Sequence, residues 1–78
     1  MITETPFPHS MVRTLAQNIT NDMRAVSDQI ADTTDPIARG ELLSQLMLFQ
    51  GSLSLITLAT IHEDRFFLQR AVELLRAN

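Results

Sequence analysis

The sequence predicts an all-α protein, an antiparallel helical hairpin with a long hydrophobic second helix. Two observations carry this. Apolar residues recur at helical spacing on both sides of a single Asp-Pro break at 35–36, and the second segment contains twenty consecutive uncharged residues, LLSQLMLFQGSLSLITLATI, from 42 to 61. A third sets the scale: 78 residues make one domain, divided into an arm over 1–9 and a helical unit over 10–78.

The arm comes first. Pro6 and Pro8 bracket Phe7, and each proline removes a backbone donor and biases its predecessor away from helix, so 1–9 is predicted to be extended and flexible. Ser10 then offers an N-cap. Leu15, Ile19, Met23, Val26 and Ile30 follow at spacings of four, four, three and four and lie on one face. Arg13, Asn21, Arg24 and Asp28 take the other, with Arg24 and Asp28 spaced to pair.

Asp32-Thr33-Thr34-Asp35-Pro36 ends this helix. Asp35 suits the N-cap of the next and Pro36 its first position, where the fixed φ helps and the missing N–H costs nothing. So short a link favours antiparallel neighbours.

In the second helix Leu42, Leu46, Phe49, Leu53 and Ile56 form one stripe. Leu43, Met47, Leu48, Leu55, Leu58, Ala59 and Ile61 spread apolar surface around the remainder, more than one neighbour can cover. Gly51, Ser52, Ser54 and Ala59 thin the helix and would let another approach closely. Ser52-Leu53-Ser54-Leu55 alternates as a strand would, but Ile56 to Ile61 break the alternation and no second strand exists to pair with it. From Arg65, the apolar positions Phe67 or Leu68, Ala71 or Val72, and Leu75 repeat a helical face. Two shapes fit: one continuous helix from Pro36, or a third helix folding back at the charged step His62-Glu63-Asp64-Arg65.

Composition excludes several functions. Six Arg against nine acidic residues, with no Lys, Tyr or Trp and a net charge of −3, leave neither the basic patch nor the stacking surface of a nucleic-acid binder. No cysteine is present, so disulfides and thiolate metal sites are excluded. His62-Glu63 opens like a zinc-protease helix, but position 66 is Phe where the second ligand belongs. Glu63 and Asp64 are neighbours pointing different ways, and no Ser or Thr has a nucleophile context, so no catalytic residue, cofactor or metal is expected. The start MITETPFPHS lacks the charged and apolar regions of a signal peptide, giving a cytoplasmic expectation, or export without a cleaved signal. The 42–61 stretch matches a membrane span in length, but seven Ser, Thr and Gln dilute it and a span is not expected.

What remains is surface. The predicted activity is protein–protein association through the second helix, as a homo- or hetero-oligomer, with Leu46, Phe49, Leu53, Ile56, Phe67 and Leu74 as contact residues. The competing reading is a self-contained three-helix bundle, an adaptor or regulatory domain, in which the third helix covers the second.

Thr34-Asp35-Pro36 followed by Leu42-Leu43-Ser44-Gln45, with the ending Ala71-Val72-Glu73-Leu74-Leu75-Arg76, resembles the needle and inner-rod subunits of bacterial type III secretion systems. Phe49-Gln50-Gly51-Ser52-Leu53-Ser54-Leu55-Ile56 resembles instead the leucine-rich helix of the small co-chaperones that hold a needle subunit unpolymerised. The first likeness implies a structural subunit polymerising through its C-terminal helix, the second a soluble heterodimer. The chain lacks the Tyr and Lys frequent in needle subunits and runs longer after the second helix than the co-chaperones usually do.

Overall fold

A computed structural model describes residues 6–76. The described chain is helical throughout apart from short links, as expected: α1 (His9–Asp32), α2 (Pro36–His62) and α3 (Arg65–Arg76). Both α1 and α3 pack on α2, which therefore forms the spine of the molecule. The body is elongated, 59 × 19 × 16 Å, with a radius of gyration of 15.0 Å. A compact chain of this length would have about 11.5 Å.

The first helix starts two residues earlier than an N-cap at Ser10 implies. Pro8 O already accepts the first helical bond from Val12 N (3.0 Å), so Ser10 lies inside the opening turn and no side chain caps the helix. Of the arm, only Pro6–Pro8 and His9 fall within the described residues. Phe7 packs against the core, and His9, expected in a flexible arm, opens α1. Val12, Ile19 and Val26 are buried at intervals of seven, flanked by half-buried Leu15, Met23 and Ile30, so the stripe read from the sequence is the one that faces α2. Val12 continues that stripe one turn towards the N-terminus. No Arg24–Asp28 ion pair forms among the described residues; the intrahelical pair is Arg70–Glu73, at 3.0 Å and exposed.

The turn into α2 is built as its residues predict. An Asp35 carboxylate oxygen accepts from Ala38 N at 3.1 Å, and Pro36 occupies the first turn. The step at the other end of α2 resolves the two shapes left open by the sequence. Glu63 adopts the left-handed conformation (φ 51°, ψ 41°), and Asp64 N reaches back to Ala59 O at 3.1 Å. That six-to-one bond is the Schellman ending of a helix. Asp64 Oδ1 then accepts from Phe66 N (2.8 Å), capping α3. Two residues thus stop one helix, reverse the chain and start the next.

Folded back, α3 lies against the C-terminal half of α2. Ser52 is fully buried and its hydroxyl donates to Ala71 O across the interface (3.0 Å), with Ala59 and Ala71 also at zero exposure. A Cβ on Gly51 would stand 3.0 Å from Leu74 Cδ2. The small residues that thin α2 therefore admit the chain's own third helix. Val12, Ile19, Ile56 and Ala71 form one core cluster that joins all three helices.

Two expectations follow. Asp35→Ala should lower stability by about 1 kcal/mol in urea unfolding, because an orphan N–H at the start of α2 loses its acceptor. Ser52→Leu should cost about 3 kcal/mol, since four heavy atoms would fill space that Ala71 occupies; an unchanged urea midpoint would contradict the close α2–α3 contact.

Candidate helix docking face

The exposed side of α2, between α1 and α3, is formed by Leu43, Met47, Gln50, Ser54, Leu58 and Ile61, at spacings of four, three, four, four and three. These positions keep one azimuth on a helix over about 27 Å. None is charged. The large side chains are well exposed: Met47 69%, Ile61 68%, Leu43 48% and Leu58 40%.

The hydroxyls on and beside this face are already bonded within the helix. Ser54 Oγ donates to Gln50 O (3.1 Å), Thr57 Oγ1 to Leu53 O (3.0 Å) and Ser44 Oγ to Gly40 O (3.1 Å). Covering these hydroxyls with an apolar neighbour would strand none of them, which removes most of the usual desolvation cost of a polar surface. Beside the stripe, Ser44, Met47, Leu48 and Leu74 line an open, mostly apolar recess of about 420 Å³.

None of the six contact residues predicted from the sequence lies on this stripe, although Leu74 lines the recess beside it. Ile56 is buried at 3% exposure, and Phe49 and Leu53 pack against the core cluster. Leu46 is half-buried. Phe67 is half-buried, its ring centroid 5.7 Å from that of Phe66 and 6.2 Å from that of His62, while half-buried Leu74 rests over Gly51. These side chains serve contacts inside the chain, so Asp at Phe49 and Ile56 would unfold the protein before it tested an interface. The strongest apolar stripe of α2 is the one its own helices cover, and the second-strongest faces solvent. What could have revealed the latter is its run of apolar and uncharged side chains at helical spacing with no acid or base between them.

Around the end of the molecule, the arm is fastened to the α2–α3 turn. His9 Nε2 lies 2.8 Å from Glu63 Oε1, and Arg65 Nη2 donates to Pro6 O at 3.0 Å. Among the described residues no group of His, Asp and Glu could hold a metal ion. By length and composition alone α2 could cross a membrane, and only 17% of its apolar window is buried by the rest of the chain. Yet α1 lies along α2 with Arg13, Asp22, Arg24 and Asp28 exposed, so insertion of α2 would require α1 to detach or carry those charges with it.

No family model, curated protein or solved structure matches the chain.

The two classes of position should respond differently to charge. Met47→Glu and Ile61→Arg, both on the solvent face, should each change the unfolding free energy by less than about 0.5 kcal/mol. Ile56→Asp should abolish the cooperative melt, because it places a carboxylate in the core without a partner. Equal effects at the two sites by thermal circular dichroism would contradict this division of the helix.

Proposed function

We propose that the chain is a non-catalytic assembly component that acts by helix–helix packing, presenting the solvent face of α2 to a helical partner. The observation that carries the proposal is the uncharged stripe from Leu43 to Ile61, exposed on a helix whose other faces are occupied. Soluble monomers seldom expose contiguous apolar surface of this extent without using it. A small elongated chain with few buried side chains also has much to gain from association.

The setting we propose, on the sequence resemblance, is a bacterial type III secretion apparatus. Between the two roles that resemblance offers, one feature favours the co-chaperone, which forms a discrete soluble complex. Polymerisation through the C-terminal helix needs that helix to be available, whereas α3 is tied to α2 by the buried Ser52–Ala71 bond and the seat of Leu74 over Gly51. The structural-subunit role instead requires α3 to be released on assembly.

The test is genetic. In the parent organism, deletion of the gene should stop export by the secretion apparatus, and a copy carrying Met47→Glu with Ile61→Arg should fail to restore it although the variant protein accumulates folded. Export that is indifferent to deletion contradicts the secretion setting. Export restored by the double variant contradicts the docking face.

A further inference from the structure

We propose that the occupant of the solvent face of α2 is a second copy of this chain, paired antiparallel about a twofold axis between Gln50 and Ser54. The proposal rests on the docking-face reading above and adds the identity and orientation of the partner. A twofold interface requires one surface to be complementary to itself, so that each residue meets its mirror position in the other copy. The stripe has that pattern. Reading inward from either end gives two large apolar residues and then a polar one: Leu43, Met47, Gln50 from one side, and Ile61, Leu58, Ser54 from the other.

Antiparallel pairing about the centre therefore sets Leu43 of one copy against Ile61 of the other, Met47 against Leu58, and Gln50 against Ser54. The apolar ends meet apolar ends. Of the two central polar side chains, Ser54 already spends its proton on Gln50 O and can accept from the Gln50 amide of the other copy. The parallel alternative stacks Gln50 on Gln50 and leaves paired amides in the middle of the seam.

The helix dipoles give the same orientation: antiparallel pairing opposes the two α2 dipoles, whereas a parallel pair would lay them side by side in the same direction. The end charges are mixed, Arg39 and Glu41 near the start of α2 and Glu63, Asp64 and Arg65 beyond Ile61, and do not choose between the two.

The area is that of a weak interface. The exposed parts of Leu43, Met47, Leu58 and Ile61 amount to about 450 Å² of surface per copy, so even their complete burial gives about 900 Å² for the pair, in the range of transient complexes. The two neighbours of α2 flank the stripe: Ile61 shares a recess with His9, Val12, Arg13 and Ala16 of α1, and Met47 shares one with Leu74 of α3, so a second copy has to enter between α1 and α3. The expected species is thus a reversible dimer that dissociates on dilution.

The chain has no cysteine, so introduced thiols are unique. Full-length Leu43→Cys and Ile61→Cys proteins, distinguished by a mass tag, are treated with a short bis-maleimide separately and as a mixture, and sedimentation equilibrium is run on the unmodified protein. The proposal expects concentration-dependent dimers, a 43–61 cross-link in the mixture, and little cross-linking of either variant alone. It further expects Met47→Glu with Ile61→Arg to weaken dimerisation at least tenfold while helicity is retained. Cross-linking of each variant to itself would overturn the antiparallel arrangement. A monomer at every concentration, or a dimer unaffected by the double variant, would overturn the second copy as occupant. Loss of export in the complementation assay would still stand in that case, so failure here and failure of the docking face are separable.

Discussion

The close approach of α3 to α2 is the contact on which the other features of the molecule depend. It is possible only because the facing residues are small: Ser52 meets Ala71 and Gly51 lies beneath Leu74, leaving room for a hydroxyl-to-carbonyl bond at 3.0 Å where larger side chains would hold the backbones apart. The bond also satisfies a polar group at zero exposure, which would otherwise cost on the order of 1–3 kcal/mol. With α3 in place, Leu68 and Leu75 join the cluster built on Val12, Ile19 and Ile56. Without it, α2 would lose its second neighbour, and further apolar surface of α2 would face water.

That contact divides the circumference of α2 into sectors. One faces α1 through Phe49, Leu53 and Ile56, one faces α3 through Gly51 and Ser52, and one faces solvent. A helix apolar on all sides usually marks a buried element; here only two of the sides are buried by the chain itself. The third has no charge and its hydroxyls are internally bonded, so its coverage by another helix gains hydrophobic contact at small polar cost. Association would in turn stabilise a fold whose buried core is small, through simple mass action. Stability and function would then share one interface.

Much of this was legible in the residues. The Asp35-Pro36 start of α2 rests on local chemistry that tertiary packing has no reason to override, and the heptad-like stripe of α1 has only one apolar face to bury. The break at Glu63 was harder, because the left-handed residue that ends α2 is neither Gly nor Asn, the usual markers of such an ending. The charged step His62-Glu63-Asp64-Arg65 was the readable part of that break; the cap that Asp64 gives α3 came with the structure. The exposed stripe of α2 differs from the contact residues expected from the sequence for a physical reason. Hydrophobic periodicity identifies the surface most driven to leave water, and in a chain that can fold back on itself that surface is consumed internally; Ile56 and Phe49 are the result. The free face is the residue left after folding, and reading it requires knowing where α3 goes.

The most direct test of this account is nuclear Overhauser contact between α2 and α3 in solution, observed on protein labelled at Ala and Ile methyl groups. The account predicts cross-peaks linking the Ala71 methyl to Ser52 and to the Ile56 side chain, with the run of sequential helical amide contacts interrupted at Glu63 and Asp64. Unbroken helical contacts from Ile61 through Phe67, with no cross-peak between Ala71 and α2, would mean that the third helix continues the second, and the assignment of a solvent face to Leu43, Met47, Leu58 and Ile61 would fall with it.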